Sequence, residues 1–282
     1  MPTAGPLLHA TLIVNDAAPL LRAYGALGLD LTARWAVSPE TAAAWAQPAL
    51  AHRPVTELGC GGRTLLRLME VPGAPARATR YSHGWLALEV LVRDVDALAT
   101  LAAAAGFEIV GAPADLELSP AIRAMQIVGP AGEMLYLTQV KAPVPPFELP
   151  LSSDIDSAHN VAALFIAVMS TPSRAAAIAA CAPLHPRATL QFETRVTVLN
   201  RALGRDITTR WPLATLQWAG QSLFEIDEVV DGQVVTPQAG VLPSGLAWVT
   251  LQGDGPSPLR EFSPGAWIEI SNWTSNPLEP SP

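Results

Sequence analysis

The sequence predicts an α+β protein made of four copies of one strand-helix-strand-strand-strand unit, the last copy cut short. Three observations carry that prediction. LIVNDAAPLLRAYGALGLDL, from Leu12, aligns with VLVRDVDALATLAAAAGFEI, from Val90, at a constant offset of 78 residues that puts Asp16 on Asp94 and Gly28 on Gly106. A third copy opens at AALFIAVMSTPSRAAAIAAC and a fourth at GLAWVTLQGD, the fourth with little more than PSPLREF before its final strand. One polar residue also recurs in four apolar strand ends: Arg67 in LLRLMEV, Tyr136 in MLYLTQV, Glu225 in LFEIDEV and Glu269 in AWIEISN. A repeat of this size decides a fold more firmly than single-residue propensities do. A polar side chain flanked by apolar ones points into something, so the four imply two pockets with two such residues each.

Within each full copy the punctuation is that of a helix between strands. An Asp ends the first strand as N-cap candidate, an apolar-periodic stretch follows, and a Gly stops it at C′. The second copy closes through GPAGEMLYLTQV, a turn followed by its last strand. Two insertions interrupt the pattern. SPETAAAWAQPALA, from Ser38, has Ser as N-cap and Pro39 at N1, and RVTVLNRALG, from Arg195, occupies the corresponding place in the third copy. Both read as short helices, either over a pocket mouth or on the plain surface.

The Pro-containing stretch KAPVPPFELPLSSDIDS, from Lys141, divides the copies into two pairs and reads as a linker. The expected layout is a first domain over 1–142 with copies one and two, and a linker over 143–156. A second domain follows over 157–274 with copies three and four, then a loose tail over 275–282.

Half of the residues are apolar and 15% are charged, which excludes a disordered chain. The net charge of −8, with only 17 Lys and Arg, argues against nucleic acid as a partner, because phosphate binding needs a basic face. No apolar run approaches the roughly 20 residues of a membrane helix. The N-terminus lacks the basic and apolar regions of a signal peptide. Cys60 and Cys181 match no metal spacing and read as buried thiols of a cytoplasmic protein.

HATLIVND, ALEVLVRD and GPAGEMLYL resemble the vicinal oxygen chelate superfamily, which includes glyoxalase I, extradiol ring-cleaving dioxygenases and bleomycin-resistance proteins. That family's first strand runs roughly His-x-x-x-x-Val-x-Asp, and its last strand follows a DPDGN-like turn and carries a Glu. The resemblance implies that two modules curl into a cup-shaped, partly open β-barrel. Polar positions on the first and fourth strands of each module would then hold a divalent metal. Here the first-strand positions fall on His9, Ala87, Ala163 and Ala247, and the fourth-strand positions on Arg67, Tyr136, Glu225 and Glu269. An arginine cannot ligate a metal, and a catalytic metal needs about three protein ligands. The first cup is therefore expected to work without metal or other cofactor, and a divalent metal is left to Glu225 and Glu269 in the second.

Strand alternation extends the inward set. The first cup would contain His9, Thr11, Arg67, Trp85, Glu89 and Tyr136. Arg67 would hold a carboxylate, phosphate or enolate, His9 or Glu89 would move a proton, and Tyr136 would donate one. Thr11, Trp45 and Trp85 would contact substrate. The alternative is an Arg67–Glu89 salt bridge inside a vestigial cup. The second cup would contain Phe165, Glu225, Asp227, Val249, Glu269 and Ser271; its carboxylates either hold a hard cation or raise the pKa of one of their number, or they stand in water because the short fourth copy fails to close the cup. Three functions fit. The first is a metal-independent lyase or isomerase acting on a carbonyl, carboxylate or aromatic compound. The others are a small-molecule binding protein of the resistance kind, in which an acidic chain suits cationic compounds, and a metal-dependent dioxygenase or glyoxalase-like enzyme. A homodimer is compatible with all three.

Overall fold

The computed structural model describes residues 4–76, 82–234, 242–253 and 257–272; the expected loose tail lies outside them. Its architecture is α+β, two large curled sheets with helices packed between and beside them. Module 1 comprises β1 (Leu7–Val14), α1 (Ala18–Leu27), β2 (Asp30–Ala36), α2 (Pro39–Ala44), β3 (Pro54–Cys60) and β4 (Arg63–Glu70). Module 2 comprises β5 (Gly84–Val92), α3 (Val95–Ala104), β6 (Glu108–Asp115), β7 (Ile122–Val128) and β8 (Met134–Val140). Module 3 comprises β9 (Val161–Thr171), α4 (Arg174–Cys181), β10 (Ala188–Arg195), α5 (Thr197–Ala202), β11 (Arg210–Gln217) and β12 (Leu223–Glu228). Module 4 has only β13 (Gly245–Gln252), β14 (Arg260–Ser263) and β15 (Ala266–Ser271), with no helix among the described residues.

The expected punctuation forms. The Asp94 carboxylate accepts the Ala97 N–H at 3.0 Å and caps α3. Ser173 does the same for α4 through the Ala176 N–H at 3.3 Å. Asp16 acts one residue further out, accepting from Ala18 at 2.9 Å while Ala17 holds the cap position. Gly28 closes α1 at φ 97°, a left-handed conformation that glycine adopts at little cost.

The modules do not pair as their order along the chain predicts. One sheet runs β14-β15-β13-β1-β4-β3-β2 and the other β10-β11-β12-β9-β5-β8-β7-β6. Module 1 thus joins module 4 through the antiparallel pair β1–β13, and module 2 joins module 3 through β5–β9. The pairing is nested, and each half of the chain contributes to both sheets. The 1–142 and 157–274 halves are therefore not separate cups. The supposed linker is also packed. Val144, Leu149 and Ile155 are buried in the core of the second sheet's inner face. Ser152 accepts the Val140 N–H at 2.9 Å and donates to the Val92 carbonyl at 2.7 Å.

The outer faces of both sheets bury one shared core, in which Leu12, Leu66 and Val249 of one sheet meet Leu88, Met169 and Phe224 of the other, along with the apolar stripes of α1, α3 and α4. Trp85 belongs to this layer: its indole donates to the Trp267 carbonyl across the sheets at 2.7 Å, and its ring meets Phe224 edge to face. Two smaller cores fill the inner faces. The insertions lie over them, with Trp45 after α2 buried in one, and Val198 and Leu199 of α5 in the other.

Candidate functional site

The parallel pairs between the first and last strand of each module fix the equivalent positions. Thr11 lies beside Arg67, Glu89 beside Tyr136, Val168 beside Glu225 and Thr250 beside Glu269. Two residues earlier on the first strands stand His9, Ala87, Ile166 and Trp248. The expected Ala163 and Ala247 are displaced by three residues and by one. A bulge opposite Glu89 and Val90 skips Phe165, and the slip by one in β13 turns Val249 to the outer core and brings Trp248 and Thr250 inward.

The cup of modules 1 and 4 is filled by its own ions. The Arg67 Nε donates to Glu57 Oε1 at 2.9 Å, and its Nη1 stands 3.7 Å from Glu269 Oε2. Glu57 also accepts from the Trp35 indole at 3.0 Å and from the Thr64 hydroxyl at 2.9 Å. Glu269 accepts from the Trp45 indole at 2.8 Å and from Thr250 at 2.7 Å. The guanidinium carbon sits 5.4 Å over the Trp35 ring. Arg67 and Glu57 are each 3% exposed. Arg67 therefore pairs with Glu57 and Glu269, not with Glu89, which lies in the other sheet. Glu57 stands on β3, outside the first- and fourth-strand positions that the module pattern marks; its sequence signal is a lone acid in the apolar strand VTELGC.

His9 and Thr11 line the same face, and neither His9 Nε2 nor Thr11 Oγ1 has a hydrogen-bond partner among the described residues. Burial, and then the Arg67 charge, hold the His9 pKa well below its usual range, so the imidazole stays neutral. Beside this cup, a cleft of about 530 Å³ runs between the two sheets, lined by Leu8, His9, Thr64, Leu65, Leu164 and Phe165 among others.

The cup of modules 2 and 3 is the acidic one. Glu89, Tyr136, Glu225 and Asp227 share its inner face. Each carboxyl has uncharged neighbours in register: Tyr136 and Ile166 for Glu89, Thr215 and Val168 for Glu225, Leu213 and Ser170 for Asp227. The Thr138 hydroxyl donates to Glu89 at 3.0 Å. Among the described residues no hydroxyl or N–H donates to the oxygens of Asp227, whose hydrogen bond is with the Glu225 carboxyl, and the Tyr136 hydroxyl has no partner. Burial, then the Glu225 charge, pushes Glu89 up to about 8. Burial pushes Glu225 up to about 7 against the lowering effect of a hydrogen bond with Asp227, and Asp227 itself is raised well above the usual carboxylate range. Tyr136 is raised too, by burial and then by the three carboxyls. Glu225 is half-buried, and the other three are buried. The expectation of carboxylates standing in water is thus overturned, because β5 and β8, not module 4, close this cup.

The predicted catalytic set is accordingly divided. His9, Thr11, Arg67 and Trp45 lie in one cup, Glu89 and Tyr136 in the other, and Trp85 in the shared core. Glu225 and Glu269, paired in sequence as metal ligands, also fall in different sheets. A divalent metal fits neither set of equivalent positions. His9, Arg67, Trp248 and Glu269 carry a guanidinium at the centre, already bound to the carboxylate a metal would use. Ala87, Tyr136, Ile166 and Glu225 offer one carboxylate. Among the described residues no group of three His, Cys, Asp or Glu side chains is arranged to hold a metal ion.

Glyoxalase I from Zea mays has a similar fold, at a TM-score of 0.57 with 15% identity, covering 94% of this chain and 91% of the maize chain. A candidate dioxygenase from Bacillus subtilis is similar at a TM-score of 0.59 with 9% identity, covering 96% of this chain and 86% of that one. No curated protein is similar enough to match. Residues 7–134 match the Glyoxalase/Bleomycin resistance protein/Dioxygenase superfamily. That match spans somewhat under half of the chain, and the fold shared with the maize glyoxalase I extends over nearly its whole length.

Proposed function

We propose that the protein is a small-molecule enzyme whose working site is the cup of modules 2 and 3, where it carries out metal-independent proton transfer of the lyase or isomerase type on a carbonyl compound. One observation carries the reading. Glu89, Tyr136, Glu225 and Asp227 share an inner face on which no in-register neighbour of the carboxyls is cationic. Proton affinities near neutrality suit general acid-base work. Asp227 keeps its proton and donates it toward Glu225. Glu225, half-buried and close to 7, is the base that takes a proton from carbon. Glu89 and Tyr136 stay protonated at neutral pH and donate to the oxygen on which charge develops. A carboxylate substrate is disfavoured in this cup by repulsion. In the other cup Arg67 is committed to two carboxylates.

The test is deuterium incorporation from D2O next to the carbonyl of small ketones and aldehydes, followed by 1H NMR. Exchange above the buffer rate, reduced about 100-fold or more in Glu225→Gln and unchanged by chelators, is the expected result. Equal exchange by the wild type and Glu225→Gln overturns the reading. Non-catalytic capture is the second reading. It attaches to the cleft between the sheets, where Arg63, Thr64, Gln221, Gln252 and neutral His9 interrupt otherwise apolar walls. Ligand retention that is weakened in His9→Leu, without deuterium exchange, would favour it.

A further inference from the structure

We propose that the cup of modules 2 and 3 takes a small organic ammonium compound, its cationic nitrogen held by Glu89, Glu225 and Asp227 with the Tyr136 hydroxyl beside them. The proposal rests on the reading of this cup as the working one and gives it a substrate class. Three acids from two strands meet on one face, and their in-register neighbours, on three strands, are Tyr136, Ile166, Val168, Ser170, Leu213 and Thr215. No lysine, arginine or histidine is among them. Buried carboxylates are ordinarily paired, and the first cup shows how this chain pairs them, by placing Arg67 between Glu57 and Glu269. Among the described residues, the in-register neighbours of the second cup's acids include no such cation.

Tyr136 supplies an independent observation. Its hydroxyl is buried, 7% exposed as a residue, has no partner among the described residues and lies within the field of all three carboxyls. A phenol oxygen so placed can accept an N–H or orient a polarised methyl group. The rest of the lining is apolar and aromatic: Phe165, Val168, Leu199, Trp211 and Leu213 belong to the same core. Hard metal ions want six or more oxygens and retained water, which these walls do not offer. An ammonium carrying carbon substituents matches both the charge and the walls. Trp211 is held to α5 by its indole bond to Asn200 Oδ1 at 2.7 Å, so the insertion fixes part of that wall.

Among the described residues, the ionisable groups facing the site are Glu89 from β5, Tyr136 from β8, and Glu225 and Asp227 from β12. β9 and β11 contribute only the uncharged Ser170 and Thr215. A bound cation favours the carboxylate forms, so binding releases protons and tightens as pH rises.

Isothermal titration calorimetry of the full chain tests this with choline, benzyltrimethylammonium, the uncharged choline isostere 3,3-dimethylbutan-1-ol, and Mn²⁺. At least one ammonium is expected to bind 10-fold or more tightly than the neutral isostere, with proton release and affinity rising from pH 6 to pH 8. Asp227→Asn should weaken it at least 10-fold while leaving the thermal midpoint unchanged or higher. If Asp227→Asn does not fold, Glu225→Gln at the half-buried position takes its place. Equal affinity for the neutral isostere, binding that survives both variants, Mn²⁺ binding at these carboxyls, or no ammonium binding at all would each overturn the proposal. Deuterium exchange without ammonium binding would leave the catalytic reading standing and remove only this one. Ammonium binding without exchange would do the reverse.

Discussion

The indole N–H of Trp45 donates to Oε1 of Glu269 at 2.8 Å across 224 residues of sequence. This bond ties the insertion after β2 to the last strand of the chain, and it places a large apolar ring over the one charged cluster in that cup. The same ring packs edge to face on Trp248, 5.4 Å away between centroids. Removing Trp45 therefore costs both packing and a hydrogen bond to an ionised group. Trp45→Phe should lower unfolding free energy by about 1.5–3 kcal/mol, and Trp45→Ala by about 3–5 kcal/mol. Urea denaturation checks both.

Arg67 is predicted to be structural. Taking it away leaves Glu57 and Glu269 buried without their cation, and breaking a buried pair from one side costs about 3–5 kcal/mol. Arg67→Met should show that loss. Arg67→Lys should recover only part of it, because an ammonium cannot reach two carboxylates in the fork geometry of a guanidinium. The ammonium binding and deuterium exchange of the other cup should persist in any Arg67 variant that folds. Loss of either one in a folded variant would show that the cups communicate.

The acidic cup sets the alkaline side of the stability profile. Glu89 binds its proton up to about pH 8 in the folded chain, whereas a free Glu releases it near 4.3. A raised folded pKa of this kind stabilises fully below the unfolded value, and the contribution is lost as pH rises toward the folded value. Stability should fall between about pH 5 and pH 8, by no more than about 1.4 kcal/mol per pH unit for each group. Asp227→Asn and Glu89→Gln should flatten that fall and raise stability at pH 8. Chemical denaturation at each pH is the measurement.

His9 acts on the acid side. Its folded pKa is lowered, so the unfolded chain takes up a proton below about 6.5 while the folded chain does not. Its stabilising contribution is present above that value and is lost as pH falls through it. His9→Leu should flatten the acid limb between pH 6.5 and pH 5, with no effect on the alkaline limb.

The nested pairing predicts that the halves cannot fold separately. Residues 1–142 expressed alone expose the β1 edge that β13 covers and the β5 edge that β9 covers. Such a fragment should show poorly dispersed NMR spectra or aggregate, and mixing it with residues 143–282 should restore dispersion.

The module repeat was legible because its signals are local: Asp94 and Ser173 cap helices from within three residues, and Gly28 and Gly106 stop them. The polar strand ends were legible because alternation puts one odd residue on an inner face. Which cups they share was not. Pairing among β1, β5, β9 and β13 depends on edges that look alike in sequence, each an apolar run, and the sheets choose by packing on the shared core. Trp85 was misplaced for the same reason, since alternation names two faces without saying which one meets the other sheet. Phe165 and Trp248 shifted because bulges change the count of residues, and a bulge leaves no mark that a single sequence displays. Glu57 lay in a strand that the module pattern does not mark for chemistry.

The nesting of the modules also orders the molecule in time. On a ribosome, the inner sheet has all of its strands once Glu228 has emerged. β1, made before the other described strands, must then wait for β13 and β15 before its cup and the Arg67 cluster can close. Until then β1 carries an open apolar edge. Truncation near the C-terminus would therefore wound the N-terminal strand first.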